Sequence, residues 1–376
     1  MHRLSCYASA ALTAVVSASL LSAAPAAQAQ ASSQLTIAGT LDLALRQVKN
    51  GTLGTVRSEA SGSNLTSKLI VRGREDLGDG LYASFFLDAT ILADTGTANA
   101  TFWDRRSTVE LGHQRYGELR LGRDWVPTHL LWSGFDPFTT LGIASANTFR
   151  NVFVSRALGQ AFGASAAAAA ANPTLRVNNV VEYFLPRDLG GIYGALMVSA
   201  GEGGTAGTGA TRGEGGRLGW SSKTIDVALA HYKTRNANAD QSFTDRAWGA
   251  SYDFGPARLS LAQRRWSHTS DKTTNTLLGV QIPVGLGTIK LSYVRADQGG
   301  ATAAFDANDA SLWGAGYVHN LSKRTALYGH MARVSNRASA AFSIPGGAAT
   351  SGLSTAANYF GGQTSTGFEF GVRHNF

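Results

Sequence analysis

The chain has 376 residues, 44 of them Gly, and only 15% are charged, against about 25% in an average globular protein. Its single cysteine excludes a disulfide framework and any metal site built from cysteines. The formal charge is +8, with 33 basic and 25 acidic residues, and most of the basic residues are Arg.

Residues 1–29 have the features of a secretory signal peptide. Arg3 supplies a basic start, an uncharged apolar stretch runs from Ala8 to Leu21, and Ala27-Gln28-Ala29 fits the small-residue cleavage rule. A membrane-anchoring helix is the alternative, but the apolar stretch is short and a cleavage site follows it. We therefore expect cleavage after Ala29 and a mature domain over residues 30–376. Because such a chain is exported, its positive charge does not indicate a nucleic-acid partner.

From Gln34 onward, short segments alternate between apolar and polar residues. The clearest is the last one, in which Phe368, Phe370, Val372, His374 and Phe376 fall on one face. Period-two alternation predicts a strand with one apolar and one polar face.

Connections of two kinds separate these segments. Gly, Asp, Asn, Pro or Ser mark seven short turns, at 75–80, 113–117, 186–191, 221–224, 254–256, 283–287 and 320–323. Eight longer loops lie between them, at about 50–66, 93–101, 126–175, 200–214, 236–242, 268–273, 297–309 and 336–362. Short turns at one end and long loops at the other are typical of an outer-membrane barrel. The pattern predicts an all-β protein, a 16-stranded antiparallel transmembrane β-barrel.

A secreted β-sandwich or a β-propeller is the alternative fold. The chain shows no repeat of 40–50 residues, which disfavours the propeller. Aromatic residues near strand ends, as in membrane-interface girdles, disfavour the sandwich; they are Tyr183, Tyr252, Tyr293, Tyr317 and Phe376.

Several motifs resemble those of the trimeric general porins of Gram-negative bacteria, especially the anion-selective porins of betaproteobacteria. They are spread over the mature chain: the segments 35–42, 67–78, 105–109, 117–124 and 316–328, and the terminal Phe376. Two turns within them, Glu75-Asp76-Leu77-Gly78 and Asn320-Leu321-Ser322-Lys323, are specific in combination. The resemblance implies a homotrimer in the outer membrane and a third loop, here 126–175, that folds into the barrel and narrows it.

The resemblance also implies a pore constriction. Its basic residues would be Lys68, Arg105 and Arg176, with Asp88 as a nearby acid. Within the loop, the run Ala166 to Ala171 fits either a short helix or filler without regular structure, and filler is favoured here.

Alternation tests these assignments, because an Arg facing lipid at mid-membrane would cost about 2–4 kcal/mol. Lys68, Arg72 and Arg74 face inward if Leu69 and Val71 face lipid. In the same way, Asp88 shares the inward face with Ser84 and Phe86, and Arg176 faces inward if Val177 and Val181 face lipid.

The fourth strand conflicts with the resemblance. If Val109 and Leu111 point outward, Arg106 and Glu110 face inward and Arg105 faces lipid, unless a bulge intervenes. Arg105 and Arg106 are therefore both kept, with Arg105 slightly preferred. Arg120, between Leu119 and Leu121, joins Glu110, Arg72 and Arg74 as a further wall residue.

The function that follows is a water-filled channel for small hydrophilic solutes and ions, with a basic constriction that favours anions. Its expected partners are those solutes, outer-membrane lipid and lipopolysaccharide, and two further copies of the chain. An outer-membrane hydrolase and an adhesin acting through its loops are the alternatives. The histidines, however, lie at spacings that demand neither catalysis nor metal binding; in the mature chain they are His113, His129, His231, His268, His319, His330 and His374. No cofactor is indicated and an enzyme is not expected.

Overall fold

The computed structural model describes residues 34–201, 211–348 and 361–376. The predicted signal peptide at 1–29 lies outside the described residues. The described strands are β1 (Gln34–Asn50), β2 (Thr55–Ser61), β3 (Lys68–Gly78), β4 (Leu81–Leu92), β5 (Thr97–Ala98), β6 (Arg106–His113), β7 (Gly117–Trp125), β8 (Arg176–Phe184), β9 (Ile192–Ser199), β10 (Gly213–Ser221), β11 (Ile225–Arg235), β12 (Ser242–Asp253), β13 (Arg258–His268), β14 (Asp271–Val284), β15 (Gly287–Gly299), β16 (Ala310–Asn320), β17 (Thr325–Asn336) and β18 (Thr364–Asn375).

The described helices are short and lie in the connections. They are α1 (Pro127–Phe135), α2 (Arg156–Phe162), α3 (Ala166–Ala171) and α4 (Ala303–Asp306), with 3-10 turns at Gly51–Leu53 and Ala146–Phe149. No helix in these parts of the chain is long and apolar enough to cross a bilayer.

All the strands form one antiparallel sheet that closes on itself. β1 pairs with β18, with Leu41 opposite His374, and each remaining barrel strand pairs with its sequence neighbours. β2 and β3 both pair with β1 and together act as one interrupted strand, while the two-residue β5 pairs with β4 alone. The barrel therefore has sixteen strands, and the predicted fold is confirmed.

Closure leaves the sheet without a free edge, so that backbone N–H and C=O groups pair between strands all the way round. The outer face carries the apolar half of the alternation: Leu45 is 72% exposed, Leu196 68% and Phe370 58%. Because these apolar side chains are largely uncovered by the described part of the chain, the outer face is a surface for hydrocarbon rather than water.

Three predicted connections differ from the structure. The predicted loop at 50–66 contains β2, because Thr55–Ser61 continues the alternation beyond a turn at Gly51–Leu53. The predicted loop at 268–273 shrinks to two residues between β13 and β14. The preference for filler at Ala166–Ala171 was wrong: the run forms α3, and the Ser165 hydroxyl accepts the N–H of Ala168 at 3.1 Å.

Candidate functional site: the inner wall of the barrel

The segment between β7 and β8, residues 126–175, folds into the barrel and is called here the infolded segment. Its helix α1 packs against β11, β12 and β13. Glycines on the inner wall make room for it: a Cβ at Gly249 would lie 2.4 Å from the ring of Phe135, and one at Gly279 would lie 2.6 Å from Pro137. The helix α1 therefore lies against one side of the inner wall.

A buried ion pair fixes both ends of the infolded segment to the wall. Arg264 and Asp245 have fully buried side chains and are 2.6 Å apart. The hydroxyl of Thr128, near the start of the segment, donates to Asp245 at 2.7 Å. Arg264 in turn donates to the carbonyl of Thr174, near its end. Because one ion pair holds both ends, the segment is tied to the strands β12 and β13.

The middle of the infolded segment reaches the seam where β1 meets β18. Ile143 is buried, and its N–H donates to Glu369 at 3.4 Å. Glu369 also accepts from Arg46 at 2.9 Å and contacts His330 at 3.0 Å. His330 meets the edge of the Phe138 ring, with centroids 5.3 Å apart. The segment thus spans the interior from β12 to the closing strand.

A basic cluster lies on another part of the wall and consists of Lys68 in β3, Asp88 in β4, Arg105 just before β6, and Arg176 in β8. The Nε of Arg105 donates to the Asp88 carboxylate at 3.0 Å. Lys68 lies within electrostatic reach of Asp88, Arg105 and Arg176. The cluster therefore combines three cations with one carboxylate. Asp104 and Arg123 also act on Arg176, with opposite signs.

An aromatic platform adjoins the basic cluster. The guanidinium of Arg176 lies 3.5 Å from the ring centre of Trp125, and that of Arg105 lies 5.6 Å from it. His129, from the first turn of α1, stacks on Trp125 with centroids 4.6 Å apart and planes at 14°. Burial and the nearby Arg264 and Arg176 hold the pKa of His129 well below its ordinary value, so the imidazole is neutral at pH 7.

A second charged group lines β6 and β7 and is internally compensated. Arg106 pairs with Glu110, and Arg120 pairs with Asp124 at 2.5 Å and with Glu118 at 2.7 Å. Two guanidinium groups meet three carboxylates here, so both positive charges are compensated and the group does not add to the positive field of the basic cluster.

Arg72 and Arg74 lie on the inner side of β3. Val71, opposite the 65% exposed Ile37, takes the outer face, which turns Arg72 and Arg74 inward. Arg74 stacks on the ring of Tyr82 at 3.6 Å.

Arg105 and Arg106, for which alternation and the family resemblance gave different orientations, both reach the interior. β6 begins at Arg106, so Arg105 precedes the strand and is not bound by its alternation. Its N–H donates to the carbonyl of Asp88 at 3.2 Å, which directs its side chain to the Asp88 carboxylate. Arg105 therefore faces inward, as the resemblance implies, without a β-bulge in β6.

The expectation that Val177 faces lipid was wrong. Val177 is only 8% exposed and packs inside with Val126, Val180 and Met197. The cause is a local break in alternation, because the register of β7 and β8 shifts beside Gly122 and Asn179 has a φ of +52°. Arg176 reaches the basic cluster even so.

Sequence reasoning missed Trp125, Arg264 and Asp245. Alternation along β12 and β13 would have placed the last two on the inner face, where a neighbouring Arg and Asp suggest an anchor for a chain segment inside the barrel. Nothing in the sequence pattern separates Trp125 from an aromatic of the outer girdle.

Comparison with known proteins gives one consistent result. A family model described as Gram-negative porin matches residues 9–339. The chain is 35% identical to outer membrane porin protein 32 of Delftia acidovorans, over 96% of this chain and 99% of that one. It is 26% identical to an outer membrane porin protein of Bordetella pertussis, over 69% of this chain and 74% of that one.

Solved structures agree with the sequence comparisons. The anion-selective porin from Comamonas acidovorans is similar with a TM-score of 0.75 and 31% identity, covering 92% of this chain and all of that one. OmpF of Salmonella typhi, in a complex with daunomycin, has a TM-score of 0.60 at 14% identity, covers 91% of this chain and 97% of that one, and shows the shared fold alone.

Proposed function

The chain belongs to the Gram-negative porin family and is an outer-membrane channel protein, and we propose that its channel prefers anions. The basic cluster carries this proposal: Lys68, Arg105 and Arg176 gather on one part of the inner wall around the Asp88 carboxylate. Asp104 and Arg123 are further charges near Arg176, one of each sign, so the local excess of positive charge remains. A low-dielectric wall around such a cluster raises the local concentration of anions. The similar protein from Comamonas acidovorans, which is described as anion-selective, supports the same assignment.

In this proposal the constriction lies between the infolded segment, 126–175, and the residues Lys68, Asp88, Arg105, Arg106 and Arg176. Arg106 contributes less than the others, because Glu110 compensates its charge. Arg72, Arg74, Arg120 and Glu110 line the rest of the path. Anions would pass between weak sites, since conduction requires both easy entry and easy exit.

Further parts of the proposal concern assembly and surroundings. Residues 1–29 act as a cleaved signal peptide, and the mature chain forms a homotrimer; a structure of OmpT from Vibrio cholerae, a protein of the same fold, is described as a trimer form. The apolar outer face contacts outer-membrane lipid, and lipopolysaccharide where the long loops emerge. Light scattering of the purified protein tests the trimer.

We also propose that the protein is not an enzyme. Within the described residues, His330 pairs with the Glu369 carboxylate while its second ring nitrogen, Nε2, has no hydrogen-bond partner. A hydrolytic triad would place a nucleophile at that nitrogen. Liposome swelling tests the class directly: small neutral sugars should enter liposomes that contain the protein, whereas an enzyme or adhesin with a closed barrel would exclude them.

Charge reversal at one position tests the anion preference. Arg176→Glu should lower the ratio of anion to cation permeability in planar bilayers. The matched control is Arg235→Glu, at the end of β11, away from the cluster, which should leave the ratio unchanged. An unaltered ratio in Arg176→Glu would assign selectivity to other residues.

A further inference from the structure

We propose that Trp125 is a positioning residue that holds the Arg176 guanidinium flat and presents its N–H edge to permeating carboxylates. The proposal rests on the anion-preferring channel above and adds a specificity: planar oxyanions over spherical halides.

The geometry of the two residues is direct. Trp125 ends β7, Arg176 begins β8, and the two are paired across the sheet. The Cζ atom of Arg176 lies 3.5 Å from the indole ring centre. At that distance the guanidinium rests on the ring face, and its five N–H bonds, which lie in its own plane, point sideways rather than into the ring.

Arg176 differs from Arg105, Arg106 and Arg120 on the same wall. Arg105 is held by Asp88, Arg106 by Glu110 and Arg120 by Asp124. In the described parts of the chain, the Arg176 side chain makes no ion pair, and its buried Nε has no hydrogen-bond partner. Its donor edge is therefore unoccupied by the protein, and the ring contact replaces the carboxylate that orients the other three.

The surroundings of Arg176 explain why it needs the ring. Arg105 is the neighbouring charge that acts on it most strongly, and Arg123 and Lys68 add to the repulsion. Asp104 and Asp88 act in the opposite direction, but neither forms an ion pair with Arg176. Like charges would drive a flexible Arg side chain away from the cluster. Stacking on Trp125 opposes this repulsion, and the stacked neutral ring of His129 fixes the indole without adding a charge.

The expected selectivity follows from the planar, forked arrangement of the guanidinium N–H groups. A guanidinium donates two parallel N–H bonds to a carboxylate, and a halide cannot accept both with the same geometry. A fork held in one plane should favour acetate relative to chloride, whereas a mobile guanidinium should act as a simple point charge.

The test is the permeability ratio of acetate to chloride, measured from reversal potentials between potassium acetate and potassium chloride across planar bilayers. Trp125→Leu should lower this ratio about threefold, and Trp125→Phe, which keeps a weaker ring, should lower it less. Arg176→Lys should lower it as much as Trp125→Leu while keeping the preference for anions over cations. Trp313→Leu is the matched control, because that side chain is 61% exposed on the outer face and should change nothing.

The outcomes separate the possibilities. A lowered ratio in Trp125→Leu and Arg176→Lys, but not in Trp313→Leu, supports the positioning role. An unchanged ratio in Trp125→Leu overturns it, and if that variant fails to assemble, an unchanged ratio in Trp125→Phe does so. A wild-type channel that prefers cations would instead refute the proposed function.

Discussion

Asp88 is the carboxylate that moderates the basic cluster, and its removal gives a quantitative test of the electrostatic account. Asp88→Asn keeps the size of the side chain and an acceptor oxygen for Arg105, which donates to it at 3.0 Å. It removes one negative charge from the wall. The permeability ratio of anions to cations should therefore increase.

The magnitude follows from Coulomb's law. A unit charge about 4 Å from a passing ion contributes about 1 kcal/mol in water, and screening at 0.1 M salt reduces this to about 0.7 kcal/mol. Such an energy changes an equilibrium about threefold. Because the anion gains this factor and the cation loses it, the permeability ratio should rise about tenfold.

The assay is the reversal potential in a potassium chloride gradient, with two companion variants. Arg105→Gln should shift the ratio by a similar factor in the opposite direction. The double variant should return close to wild type, because the net charge of the cluster is restored. An Asp88→Asn channel with an unchanged or lowered anion preference would refute the reasoning.

Three further predictions concern the infolded segment. Asp245→Ala leaves the fully buried Arg264 without its partner, so the free energy of unfolding should fall by about 3–5 kcal/mol, seen as a lower midpoint in denaturant titrations. His129 has a pKa below its unfolded value, so its contribution to stability is complete above about pH 6.5 and is lost as the pH falls; thermal midpoints of wild type and His129→Phe should diverge between about pH 7.5 and about pH 5, and parallel curves would contradict this. Gly279→Val would place a Cβ 2.6 Å from Pro137, so it should push the segment into the lumen and lower single-channel conductance, and an unchanged conductance would count against the proposed packing.

Alternation predicted the barrel and most of its inner face because the strands are long and regular. Lys68 and Glu110 lie within unbroken runs, and each inward position follows from an apolar neighbour on the outer face. The same rule failed at Val177, where Asn179 adopts a positive φ and shifts the phase of the strand. A single sequence does not mark such a break, because Asn is common at strand ends and in turns alike.

The remaining features could not be predicted from the sequence, because they depend on where a residue lies relative to a strand end or to distant parts of the barrel. Arg105 lies one residue before β6, and the alternation of inward and outward side chains applies only within a strand. The path of the infolded segment depends on long-range packing, such as the fit of Phe135 against Gly249, and glycines on a predicted inner face are its only trace in the sequence. The role of Trp125 depends on a neighbour, Arg176, that is distant in sequence and adjacent in the barrel.

The most direct test of the central claim is the reversal potential of the wild-type channel in a tenfold gradient of potassium chloride. The basic cluster on the inner wall predicts a potential with the sign of chloride permeation. A potential with the sign of potassium permeation would contradict the account.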